Sequence, residues 1–140
     1  MEQTLPIQLS LRLDWSEMDL FGHINNVMYA KYVQAARVQV WDLIGLTTHY
    51  KTTNIGPTLA ATSIQFRVPL HFPDTILVRS GISQIGSTSF RIQHQIFNSA
   101  SKLCATAEDV VVTFDYNTNT KVSLAGLVRD NYAVLLAKGM

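Results

Sequence analysis

Residues 7–15 alternate strictly, with Ile7, Leu9, Leu11, Leu13 and Trp15 on one face and Gln8, Ser10, Arg12 and Asp14 on the other. A period of two with a single apolar face predicts a half-buried β-strand. The pattern breaks over Ser16 to Ile24, where Gly22 supplies a sharp turn. From Asn25 the period changes, and the chain predicts a helix running to Ile44, with Asn25 as N-cap and Gly45 as the stop. Apolar residues from Val27 and Met28 through Tyr32, Val33, Ala36 and Val40 to Leu43 and Ile44 occupy most of its circumference. A helix apolar nearly all round is a buried one, so a sheet has to wrap it.

Thr47 to Gly56 reads as a connector, with Asn54 and Gly56 as turn residues. Extended segments follow at residues 58–68, 75–85, 88–98 and 102–116, separated by turn signals near 70–74, 86–87 and 98–101. That spacing predicts an antiparallel meander. Residues 123–138 predict a closing helix with Ser123 as its cap. The fold class expected is α+β, one domain over residues 1–140, with a curved antiparallel sheet wrapped around one long buried helix. An uncovered sheet edge calls for a partner, and a second copy is the usual one, so a homodimer or homotetramer is expected.

Composition narrows the classes. Apolar residues make up 47% of the 140 residues and charged ones only 15%, which leaves apolar surface to be shared between subunits. A net charge of +1 without a basic block argues against nucleic acid or an anionic membrane surface as partner. Cys104 is the single cysteine, so no intrachain disulfide forms, which fits a reducing compartment. Residues 1–10 lack a basic segment followed by an apolar run, and charged residues interrupt every long apolar stretch. A cytoplasmic protein without a membrane anchor is therefore expected.

The candidate chemistry lies in Asp19-Leu-Phe-Gly22-His23-Ile-Asn25-Asn26-Val-Met-Tyr29. A carboxylate stands just before a helix N-terminus, where unpaired N–H groups and about half a positive charge favour a developing oxyanion. The plainer role for Asp19 is to hold the loop and cap the helix. Glu17 reads as a solvated neighbour. His49, His71 and His94 are scattered without a second ligand at helical or hairpin spacing, so neither a metal nor a cofactor is expected. Cys104 sits in an apolar segment with no basic neighbour and reads as packing. Ser87, Thr88 and Ser89 lack the Gly-x-Ser-x-Gly elbow of a serine hydrolase.

The string Arg12…Asp19-Leu-Phe-Gly22-His23-Ile-Asn25-Asn26-Val-Met-Tyr29…Tyr32…Ala36-Arg37 resembles the signature of hotdog-fold acyl-CoA thioesterases, most nearly the hydroxybenzoyl-CoA thioesterase and YbgC-like group. Gly-His-Ile-Asn-Asn-Val-Met-Tyr is also similar to segments of plant acyl-carrier-protein thioesterases. Later phrases, Phe66-Arg-Val-Pro69-Leu, Pro73-Asp74-Thr-Ile-Leu-Val and Ile85-Gly86-Ser87-Thr88-Ser89-Phe90, fall where that family has comparable ones. The resemblance implies a hotdog fold and hydrolysis of an acyl thioester. It implies Asp19 as nucleophile or general base, and the backbone N–H of Asn26 as the donor to the thioester oxygen. It places His23, Tyr29 and the turn Gly86, Ser87 and Thr88 at the substrate. That turn carries no Lys or Arg where the hydroxybenzoyl branch grips the phosphates of coenzyme A, which leaves coenzyme A and acyl-carrier protein both open as carriers. An acyl tunnel along the helix, bounded by Met28, Tyr32, Phe66 and Phe90, is expected. The alternatives are a hotdog enoyl hydratase and a hotdog domain that binds acyl thioesters without cleaving them.

Overall fold

Asn25 begins the central helix as its sequence position predicts. In the computed structural model, which describes residues 4–139, helix α1 spans Asn26–Leu43. The Asn25 side-chain oxygen accepts the Val27 N–H at 3.0 Å and its carbonyl accepts the Met28 N–H at 2.9 Å, so two of the helix's orphan donors are satisfied. Gly45, at φ 84°, then turns the chain out of the helix.

Where a connector was expected, a second helix forms: α2, Leu46–Thr53. Its four threonines are weak helix formers. The helix owes its existence to tertiary contact: Leu46 is fully buried and the Tyr50 ring lies against Gly56. Asn54 closes it in the left-handed region, donating its N–H to the Tyr50 carbonyl at 2.8 Å.

The strands are β1 (Ile7–Arg12), β2 (Ile55–Phe66), β3 (Thr75–Ile85), β4 (Ser89–Phe97), β5 (Leu103–Asp115) and a two-residue β6 (Thr120–Lys121). All pair antiparallel in the order β1-β3-β4-β5-β2, with β6 on β5. The expected meander is therefore only β3-β4-β5. Strand β2 lies at the far edge against β5, in register from Ile55↔Asp115 to Phe66↔Ala105, while β1 takes the opposite edge against β3. Hydrophobic alternation marks which face of a strand is buried but not its neighbour. Here α1 and α2 carry the chain from one edge of the sheet to the other.

The sheet covers one side of α1. Tyr29, Tyr32, Val33, Ala36, Arg37 and Val40 are buried, but Val27 is 63% exposed, and Val38 and Leu43 are exposed too. A helix buried all round, as its composition predicted, is not reached within one chain. Trp15 also departs from expectation. The alternation stops at Leu13, Asp14 caps a 3-10 turn over Trp15–Glu17, and that turn swings the indole outward, 69% exposed. The closing helix, α3 (Ala125–Gly139), forms as expected, with its Ala125 N–H on the Ser123 hydroxyl oxygen at 3.4 Å.

Two apolar clusters make the core. One packs Tyr29, Val33 and Ala36 of α1 on Ile76, Val78, Ile96 and Ala105 of the sheet. The other packs Val40, Ile44 and Leu46 with Val128 of α3 on Ile82, Phe90, Ile92 and Val111. Among the described residues no helix is long and apolar enough to cross a membrane.

Candidate active site

The loop before α1 closes on itself. The Asp19 N–H donates to the His23 carbonyl at 2.7 Å and the Gly22 N–H to the Asp19 carbonyl at 3.3 Å, a tight return that Gly22 permits at φ 79°. Inside it, Asp19 Oδ1 accepts the N–H of Phe21 at 2.9 Å and of His23 at 3.2 Å. Two backbone donors on one oxygen fix the carboxylate's direction. The other oxygen, Oδ2, accepts no hydrogen bond among the described residues.

Asp19, His23 and Asn26 come together in one open cleft of about 340 Å³, with Ile24 and Tyr29 behind them. The facing wall is the run Phe66-Arg67-Val68-Pro69 that leaves β2. Leu70, the next residue, docks this run onto the loop. Its carbonyl accepts the Ile24 N–H at 2.8 Å, and its N–H donates to the Tyr29 hydroxyl at 3.1 Å. The Tyr29 ring meets Phe66 edge-on at 5.0 Å. Burial pushes the Tyr29 hydroxyl pKa up, against the Leu70 N–H, so the group stays protonated at neutral pH.

At the head of α1 the amides differ. The N–H groups of Val27 and Met28 are taken by Asn25, whereas that of Asn26 has no acceptor among the described residues. The unpaired donor at the positive end of the helix thus belongs to a residue that lines the cleft holding Asp19.

The other expected site residues lie elsewhere in the chain. Gly86, Ser87 and Thr88 form the β3–β4 turn, at the end of β3 opposite Thr75 and roughly 30 Å away along an 11-residue strand. Gly86 and Ser87 there border a small space against Ala125 and Val128 of α3. Of the four side chains expected along an acyl tunnel, only Phe66 lines the cleft; Phe90 belongs to the distant core cluster.

Three groups escaped the sequence reading. His71 packs edge-on against His23, ring centroids 4.9 Å apart, with Nδ1 3.3 Å from the Gly22 carbonyl. Glu17, read as solvated, is 5% exposed. Asp109 and His94 form a buried hydrogen-bonded pair at 2.7 Å beneath α1. Only a charged residue in the middle of an apolar strand signalled the last of these. Among the described residues no three His, Cys, Asp or Glu side chains converge so as to hold a metal ion.

This fold and this loop define a family. The chain belongs to the thioesterase-like superfamily, whose sequence profile residues 13–131 match. It is similar to the chloroplastic acyl-acyl carrier protein thioesterase ATL3 of Arabidopsis thaliana, 29% identical over 92 residues, covering 64% of this chain and 48% of that protein. The chain thus spans about half the length of the curated relatives it matches. Among solved structures it is similar to a thioesterase from Thermus thermophilus complexed with coenzyme A and Zn, with a TM-score of 0.82, 18% identity, and 97% of this chain and 98% of that one covered. It is similar as well to a 1,4-dihydroxy-2-naphthoyl-CoA thioesterase from Synechocystis, with a TM-score of 0.79, 18% identity, and 94% and 96% covered. The architecture is the hotdog fold that the Arg12–Arg37 string implied.

Proposed function

We propose that this protein hydrolyses an acyl thioester, carried by coenzyme A or an acyl-carrier protein, to free acid and thiol. One observation carries the reading: a carboxylate whose direction two backbone N–H groups fix shares a cleft with Asn26, whose N–H has no acceptor among the described residues. Two routes use this pair. In one, Asp19 Oδ2 attacks the carbonyl carbon, the thiolate leaves, and water cleaves the resulting anhydride. In the other, Asp19 takes a proton from a water as that water attacks, and the proton passes to the departing sulfur. In both, negative charge grows on the carbonyl oxygen, and a donor placed like the Asn26 N–H contributes about 3 kcal/mol to stabilising it. His23 and Tyr29 then wall the acyl or pantetheine portion.

The same reading includes a homo-oligomer. Strand β2 pairs β5 on one side only and exposes Leu59 and Phe66 along its 12 residues. A bare edge of that length invites antiparallel pairing with its own copy. A two-fold axis through β2 reverses the ends of the sheet. It carries the second copy's Gly86-Ser87-Thr88 turn to the end where Asp19 lies, which supports that turn as part of the substrate site. Cys104 is buried and unpaired, which suits a reducing compartment such as the cytoplasm.

The test is thiol release across acyl chain lengths and both carriers. Asp19→Asn is expected to lower kcat by at least roughly 100-fold while leaving the fold intact. Wild-type turnover by that variant would overturn the site. Hydration of crotonyl-CoA without thiol release would instead indicate a hydratase, and thermal stabilisation by acyl-CoA without either reaction a binding domain.

A further inference from the structure

Resting on the proposed site, we infer that Glu17 is its positioning residue, setting where the Asp19 loop stands relative to the head of α1. Residues 17–25 zip into a closed unit. The Asn25 N–H donates to the Glu17 carbonyl at 2.8 Å, Met18 and Ile24 form an antiparallel bridge, and Asp19 and His23 bond within it. A unit of this kind joins α1 by the covalent chain at Asn25 and, through Ile24 and Leu70, by a bridge to the Tyr29 hydroxyl. The Glu17 side chain ties the other arm of the unit, the one that carries Asp19, directly to α1. Its Oε2 accepts Lys31 Nζ at 2.9 Å and its Oε1 accepts the Tyr32 hydroxyl at 2.9 Å, both groups lying in the second turn of α1. Oε1 also accepts the Asp14 N–H at 2.8 Å, so the strand side of the loop is held by the same carboxylate.

Burial opposes the charge on Glu17, but the bonds from Lys31, Asp14 and Tyr32 outweigh it and hold the carboxyl below its ordinary range. The anion is thus the form that satisfies all three donors. An amide in its place offers one oxygen and an NH2 that faces the Lys31 ammonium, so donors are left unmatched. The carboxylate does not line the cleft of Asp19 and Asn26, which separates its role from contact with substrate.

The test compares Glu17→Gln with wild type in steady-state kinetics and in amide hydrogen exchange. The expected result is a kcat lowered roughly 10- to 100-fold with KM changed less than about threefold, as for a small misplacement of reacting groups. Together with it, exchange over residues 18–26 is expected to quicken about tenfold while β3–β5 amides keep their rates. A folded variant in which either readout moves without the other, or neither moves, overturns the inference. If wild type releases no thiol from any carrier, the proposed function falls, and the exchange comparison alone decides Glu17. If Glu17→Gln does not fold, Tyr32→Phe takes its place, with kcat expected to fall about three- to tenfold and wild-type kcat overturning the inference.

Discussion

Arg37 and Asp109 form a bidentate ion pair between α1 and the middle of the sheet, Nε to Oδ2 at 3.0 Å and a second guanidinium N–H to Oδ1 at 3.2 Å. The same carboxylate meets His94 Nε2 at 2.7 Å and accepts the Thr62 hydroxyl at 2.7 Å, and His94 Nδ1 meets the Ser80 hydroxyl at 2.7 Å. One aspartate therefore ties the helix to β2, β4 and, through the imidazole, β3. The serine, histidine and aspartate spell a hydrolase triad in composition. All three are nearly inaccessible, so the string is internal structure. It lies between the two apolar clusters, where neighbouring methyl groups by themselves would let the helix slide.

Removing one member of such a pair leaves the other charge buried without compensation. Asp109→Asn is expected to cost about 3–5 kcal/mol in urea unfolding, and Arg37→Ala a similar amount. The double variant is expected to cost less than the sum of the two singles.

Acid should act through the same groups. Burial raises the Asp109 carboxyl, but bonds from His94 and Arg37 outweigh it and hold the group below its ordinary value; Glu17 is depressed as well. A depressed folded pKa contributes stability at pH values above the unfolded one, about 4, and that stability is lost as pH falls through the folded value. Urea midpoints are expected to show no loss from these two carboxylates between pH 7 and 5, then to fall below about pH 4, with a shallower fall in Asp109→Asn.

The contact of α2 with β2 has its own test. A Cβ on Gly56 would stand 2.8 Å from Tyr50 Cβ, so Gly56→Ala must displace α2. A loss of about 1–3 kcal/mol is expected in thermal unfolding, the usual scale of overpacking.

The proposed subunit contact uses the β2 edge. Leu59→Lys places a charge on that edge, where it opposes pairing. Light scattering is expected to report a smaller mass for this variant than for wild type. Thiol release is expected to fall with it, although Asp19 is untouched. An unchanged mass would place the subunit contact elsewhere.

Much of this was legible in the chain. The Asn25 cap, the Gly45 stop, the alternation of β3 to β5 and the closing helix are local events, decided within a few residues by backbone donors and side-chain period. The Asp19 loop was legible for the same reason: its hydrogen bonds close over a span of four residues. Glu17 was not, because its burial depends on Lys31 and Tyr32, which meet it only after α1 has packed.

The sequence by itself determined the bounds of α1, the alternation of β3 to β5, the closing helix and the short turn that aims a carboxylate near the start of a helix, since each rests on contacts between near neighbours. Only the tertiary structure decided that β2 leaves its sequence neighbour β3 for the far edge, and that α1 stays half uncovered. It alone set Phe66–Pro69 opposite Asp19 and joined Arg37 to Asp109. Those outcomes depend on which distant surfaces fit and on which buried charges find partners, and no pattern of period two or 3.6 records that choice.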